Sequence, residues 1–106
     1  MAIQNTTLTT TAANIFVNQS PSGTSAITTI HLCNFTGTTQ TANIYIVPVG
    51  SVANNGTIIY SNVSLTAYNT QIVYAEKFIL SNIGDAVMAN SSTPNSITAT
   101  VSSIGI

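Results

Sequence analysis

The sequence predicts an all-β fold: an antiparallel β-sandwich with jelly-roll or Ig-like Greek-key connections, made of about seven to nine short strands. Three observations lead there. Apolar residues recur with period two and rarely at i, i+3, i+4. β-Branched Thr, Ile and Val dominate the periodic stretches, as suits a pleated, half-buried surface. Between those stretches sit short runs of turn chemistry, such as Pro21-Ser22-Gly23, Asn55-Gly56 and Asn82-Ile83-Gly84-Asp85.

In chain order, the Thr-rich opening has little apolar surface to bury, so residues 1–11 are expected to form an extended N-terminal arm, held down on a neighbouring subunit. Residues 12–106 are expected to form the single sandwich domain. Its first strand covers Asn14-Ile15-Phe16-Val17-Asn18 and stops at Pro21-Ser22-Gly23. A second runs from Ser25 to Phe35. Strict alternation there puts Ile27, Thr29, His31, Cys33 and Phe35 on one face and Ala26, Thr28, Ile30 and Leu32 on the other. After the turn Thr36-Gly37-Thr38-Thr39, Ala42 to Val49 is the most hydrophobic strand. Asn43, Tyr45 and Val47 oppose Ala42, Ile44 and Ile46, and Pro48 marks the outgoing end. The loop 50–56 carries an Asn-Gly turn signal and leads to a short strand, Thr57 to Tyr60. Val63-Ser64-Leu65-Thr66 begins the next element. Asn69–Tyr74 and Lys77–Leu80 read as two strands or one bent strand, Asn82–Asp85 turns the chain into Ala86–Ala89, and Ser96–Ser102 is last. No self-similar period of 20 to 50 residues is present, which argues against a solenoid or propeller.

Composition bounds the function. The chain has 106 residues, enough for one core, with 44% hydrophobic and only 3% charged residues and a formal net charge of −1. An ordinary soluble domain is about 25% charged. With one Lys and no Arg the chain cannot neutralise a run of phosphates, so nucleic acid is excluded, and so is attraction to an anionic membrane. The longest apolar stretch, Ile44 to Val49, is far too short to span a bilayer as a helix. The opening residues lack the basic and apolar regions of a secretory signal, which leads to the expectation of a chain made and kept in a cytoplasm. Cys33 has no intrachain partner for a disulfide. The sequons Asn5-Thr6-Thr7, Asn34-Phe35-Thr36 and Asn62-Val63-Ser64 are what chance supplies in a chain this rich in Asn, Ser and Thr.

The absence of charge bears on assembly. Exposed sheet edges template unwanted pairing, and monomeric β-proteins blunt them with Lys, Pro or inward-pointing charges. A chain with one Lys is expected to have its edges covered by other chains, in a homo-oligomer or a larger shell of contacts. Hydroxyl and amide side chains suit such contacts because they hydrogen-bond without the cost of burying a charge.

Catalysis or metal binding would need ionisable groups brought together, and the chain offers His31, Cys33, Glu76, Lys77, Asp85 and four tyrosines. His31 and Cys33 share a strand face and could begin a Cys–His pair or a zinc site, yet two ligands do not complete one. Glu76 and Lys77 read as surface or interface charges, and Asp85 after Gly84 as a turn residue without the company a Ca²⁺ site requires. Gly84 alone is no phosphate loop. Tyr45, Tyr60, Tyr68 and Tyr74, with Phe16, Phe35 and Phe78, are read as core or interface in preference to a glycan platform. The Thr-x-Thr pairs at Thr7–Thr9 and Thr98–Thr100 lack the regular array of an ice-binding surface. No catalytic, cofactor-binding or metal residue is assigned, no cofactor is expected, and the chain is expected not to be an enzyme.

Ile58-Ile59-Tyr60-Ser61-Asn62-Val63-Ser64-Leu65-Thr66, then Glu76-Lys77-Phe78-Ile79-Leu80, Gly84-Asp85-Ala86-Val87-Met88-Ala89 and Ser96-Ile97-Thr98-Ala99-Thr100-Val101, resembles small virion proteins of tailed bacteriophages, including cyanophages. The likeness spans about residues 12 to 104 and consists mainly of strand patterns around a Gly-Asp turn. In the family pattern a Gly or Ala followed by Asp often precedes the strand aligned with Gln71–Tyr74, where this chain has Tyr68-Asn69. The resemblance implies a structural protein of the virion, with no cofactor and no catalytic residue, and the expected location is the virion, the chain being made in the host cytoplasm. A decoration or cement protein on the capsid is its first implication, with the major capsid protein as partner. A tail, neck or baseplate component is the alternative, and a homotrimer is expected by analogy with other particle accessories. A rival from another class is an adhesin that recognises host glycan through exposed tyrosines.

Overall fold

In the computed structural model the described residues are 2–73 and 78–105. They contain no helix and form nine strands: β1 (Ala2–Thr7), β2 (Ala13–Val17), β3 (Ser25–Asn34), β4 (Gln40–Val47), β5 (Ile58–Leu65), β6 (Thr70–Val73), β7 (Phe78–Leu80), β8 (Ala86–Ser91) and β9 (Ile97–Gly105). All pairings are antiparallel, and they nest: β1 with β9, β2 with β8, β3 with β6 and β7, β4 with β5. A chain that folds back on itself in nested pairs and then rolls into two sheets is a jelly roll, which settles the choice left open between the two connection patterns. One sheet has the order β1-β9-β3 with β6 and β7 both on the far side of β3, and the other the order β2-β8-β4-β5.

Alternation predicts most of the buried faces. On β4, Gln40, Ala42 and Ile44 point inward, and on β9 Ile97, Ala99, Val101 and Ser103 do. They meet Leu8, Ile15, Ile30, Leu32, Leu65, Val87 and Ala89 in one core, with Ile46, Tyr60, Val63 and Phe78 packed at its margin. A fully buried Leu or Ile contributes about 1.5–3 kcal/mol, so this layer between the sheets holds them together.

Three departures from the sequence expectations have structural causes. On β3 the register against β9 shifts between Ile27 and Thr29, a bulge that turns Ile27 to the same inner side as Ile30 and Leu32. The expected grouping of Ile27 with Thr29, His31 and Cys33 is corrected accordingly. The expected break after Tyr60 is absent: β5 runs on through Leu65, with register shifts against β4 and Asn62 in the left-handed region at φ 54°. The segment expected as an extended arm is, over Ala2–Thr7, an edge strand of the domain's own sheet, and Leu8 after it is buried in the core. Its pairing relies on backbone groups, which a count of apolar side chains does not register.

Polar residues finish the fold at both ends of β3. Asn18 and Asn34 are completely buried. Asn18 Nδ2 donates to the carbonyls of Gly23 (3.0 Å), Leu80 (2.9 Å) and Asn82 (2.9 Å), and its Oδ1 accepts from Ser20 N (3.2 Å) and Ser25 Oγ (2.7 Å). Asn34 repeats the plan: Nδ2 donates to Thr38, Leu65 and Thr66 carbonyls at 2.8, 3.0 and 3.2 Å, and Oδ1 accepts from Thr36 N (3.0 Å) and Thr36 Oγ1 (2.7 Å). Each asparagine stands where the chain crosses between sheets, and each ties its own crossing to another, β2–β3 to β7–β8 and β3–β4 to β5–β6. Among the described residues no buried side-chain nitrogen or oxygen lacks a partner.

Candidate functional site

His31 and Cys33 lie on the outer side of β3, both half-buried. His31 stands beside Thr100 of β9 and Ile72 of β6, and Cys33 beside Thr98 and Thr70. His31 lines an open depression with Ile3, Thr29, Thr100 and Ser102. Asp85, the one carboxylate among the described residues, is 7% exposed and committed elsewhere. Its Oδ1 accepts from Val49 N (2.9 Å) and its Oδ2 from Asn82 N (3.1 Å), which closes the turn before β8 onto the loop after β4. Glu76, Lys77 and Tyr74 lie outside the described residues. No group of three His, Cys, Asp or Glu able to hold a metal occurs among the described ones.

The aromatic residues divide. Phe16 is buried, Phe78 and Tyr60 pack against the core, and Tyr45 is half-buried on the outer side of β4 beside Met88. Tyr68 is 73% exposed and holds a left-handed φ of 59° in the turn before β6. A bulky residue there costs about 1–2 kcal/mol. Tyr68 N donates to the Thr36 carbonyl (3.1 Å), next to Phe35, which is also exposed.

The sequons have structural explanations. The Asn34 amide is fully buried and used, so Asn34-Phe35-Thr36 is an Asx turn whose Thr36 caps Oδ1. Asn5 Oδ1 accepts from Thr100 Oγ1 (2.8 Å) across the β1–β9 pair. Asn62 supplies the left-handed residue of the β5 irregularity. Sequence alone does not mark Asn34 as buried, because Asn-x-Ser/Thr looks the same in a surface loop and in a buried tie.

Among the described residues the surface is uncharged and partly apolar. Among the described residues none of the nine strands carries Asp, Glu, Lys or Arg. Large apolar side chains are exposed in three groups, with Ile59 on β5 apart from them. Ile3, Ile72, Ile79 and Ile104 share the outer face of the β1-β9-β3 sheet, Phe35 and Tyr68 sit at the Asn34 end, and Val49, Val52 and Ile83 at the Asn18 end.

No protein-family model matches this chain, and no curated protein does. Among solved structures, it is similar to a chain described under "Bacillus endospore appendages form a novel family of disulfide-linked pili", with a TM-score of 0.50, 17% sequence identity, and coverage of 99% of this chain and 84% of that one. A chain of infectious bursal disease virus, Gx strain, aligns at a TM-score of 0.40 and 12% identity over 97% of this chain and 29% of its own length. At these identities the likeness is one of fold.

Proposed function

We propose that this chain is a non-enzymatic structural subunit of a tailed-bacteriophage virion, a decoration or cement protein that stabilises the capsid by non-covalent contacts with the major capsid protein. The observation that carries the structural reading is the surface. Among the described residues, nine strands without a charged side chain and ten exposed large apolar side chains suit burial against other proteins better than isolation in water. The chemistry agrees, since the Asp85 carboxylate is held by backbone amides and stands ready for no substrate. Jelly rolls recur in viral capsid and lectin domains, and that analogy of fold supports a particle role. The phage assignment rests on the sequence resemblance. A tail, neck or baseplate position belongs to the same structural class.

A second reading, a host-glycan adhesin, is favoured by Tyr68, whose strained and exposed position is hydrogen-bonded to Thr36, the residue after the exposed Phe35. Strain of this kind is retained where something else requires the residue.

Co-sedimentation with capsids lacking the protein, and separately with isolated tails, tests the proposal. Saturable capsid binding is the expected result. Binding to tails alone relocates the subunit within the particle, binding to neither overturns the virion reading, and loss of host-surface binding in Tyr68→Ala would establish the adhesin. Filaments formed by the purified chain would instead make it a fibre subunit, as the endospore-appendage likeness allows.

A further inference from the structure

The two sheets end in four edges, and three of them are interrupted. β5 is long enough to pair with another strand, but its register against β4 shifts at two places and Asn62 takes a left-handed φ of 54° within it. β2 has five residues and a register shift between Asn14 and Phe16. The edge beyond β3 is also out of step, since β3 meets β6 at Ile30↔Val73 and β7 at Ile27↔Phe78, so that five positions along one side answer three along the other. Irregularity and short length are the devices that stop sheets from pairing edge to edge.

β1 has none of these devices. Its six residues match β9 one for one from Ala2↔Ser103 to Thr7↔Thr98, without a shift. It contains no Pro, no Gly and no charged residue, and Ile3, at 68% exposure, is among the most exposed apolar side chains. A strand in regular register on one side presents on the other a regular row of N–H and C=O groups.

We propose that β1 pairs antiparallel with β1 of a second copy of this chain, joining the two β1-β9-β3 sheets into one. The occupant follows from the comparison of edges: among those described, only another β1 offers a matching regular row. The uncharged strand also lets two copies meet without repulsion or charge desolvation. A two-fold axis normal to the sheet keeps outer faces together, so directly opposed residues share a face and the axis falls at Gln4 or Asn5. Ile3, Asn5 and Thr7 of each copy then line the outer face, continuing the row Thr98, Thr100, Ser102 of β9. The result is a dimer in place of the trimer expected by analogy. The inference rests on the reading of the chain as an assembly subunit.

Sedimentation equilibrium of the full chain over a range of concentrations tests it, with capsid binding scored separately. Wild type should show a monomer–dimer equilibrium. Gln4→Lys and Gln4→Glu alone should each weaken it roughly tenfold or more, and an equimolar mixture of the two should restore it. Ser61→Lys on the β5 edge should leave it unchanged. Circular dichroism melts that match wild type show that the variants fold. A wild type that stays monomeric to about 1 mM, a Gln4→Lys chain that dimerises as well as wild type, or a loss caused by Ser61→Lys overturns the pairing. A monomeric wild type that still binds capsids overturns the pairing alone, whereas a dimer that binds no particle leaves it standing and overturns the virion reading.

Discussion

Asn18 and Asn34 do the same work at opposite ends of β3, with different help. Each uses its amide protons on three carbonyls and its oxygen on two donors, and each binds one crossing between the sheets to another. At the Asn18 end a charged group assists: Asp85 draws the loop after β4 into the same knot, and Asn18's own backbone bonds Asp85 O and Gly84 N. At the Asn34 end the ties are neutral, through Tyr68 N, Asn69 O and Ser96 O. The left-handed residue differs too, Gly84 at φ 95° against Tyr68 at φ 59°. One end is built with the residues its backbone prefers, and the other tolerates strain.

The largest effect should come from converting either amide to a carboxylate. In Asn18→Asp or Asn34→Asp the new oxygen faces three carbonyls, and a buried charge without a donor is expected to cost about 3–5 kcal/mol near neutral pH. Burial and the carbonyls raise the folded-state pKa of the introduced carboxyl above its unfolded value of about 3.9. The folded state therefore binds the proton more tightly, and each variant should be most stable below that unfolded value and lose stability as pH rises. Urea melts at pH 4 and pH 7 check this. Equal loss at both pH values would show that the network rearranges.

Asp85→Ala asks how much of the Asn18 end depends on its added charge. It removes two hydrogen bonds from backbone amides to a carboxylate and should cost about 2–3 kcal/mol. Hydrogen exchange should quicken at Val49 and Asn82 while amides at the Asn34 end stay as they were. A uniform change would mean that the ends are not separately held.

The next pair should move in opposite directions. A Cβ at Gly84 would stand 2.9 Å from Val49 Cγ2 at a φ that disfavours any side chain, so Gly84→Ala should cost about 1–2 kcal/mol. Tyr68→Gly removes strain from a largely exposed side chain and should gain up to about 1 kcal/mol. Thermal melts suffice. A loss on Tyr68→Gly would show that its ring, which lies against Gly37, contributes more than its backbone costs.

These contrasts also mark where sequence reasoning stops. Period-two alternation reveals the inner faces of β4 and β9, since Ala42, Ile44, Ala99 and Val101 carry their burial in their own chemistry. It misplaces Ile27, because the bulge at Thr28 depends on pairing with β9, some seventy residues away in the chain. It passes over Asn18 and Asn34, each of which has part of its hydrogen-bond partners on another crossing. β1 reads as an arm because Gln-Asn-Thr chemistry gives no sign that its backbone is paired. The emptiness of the chain in ionisable groups was legible from composition, whereas the regular edge of β1 became visible only beside the three irregular ones.

The smallest effect gives the closest matched comparison. Ser25 Oγ and Thr36 Oγ1 each donate to the buried asparagine oxygen at 2.7 Å. Ser25 is buried, while Thr36 is partly open to water. In Ser25→Ala the oxygen keeps one donor, Ser20 N at 3.2 Å, and solvent has little access, so about 1–1.5 kcal/mol should be lost. In Thr36→Ala the Thr36 amide remains at 3.0 Å and water can take the hydroxyl's place, which should limit the loss to about 0.5 kcal/mol. Urea melts of the two variants, measured together, decide it. Equal losses would mean that the hydroxyl bonds themselves set the cost, and that the two ends differ only in charge and in backbone strain.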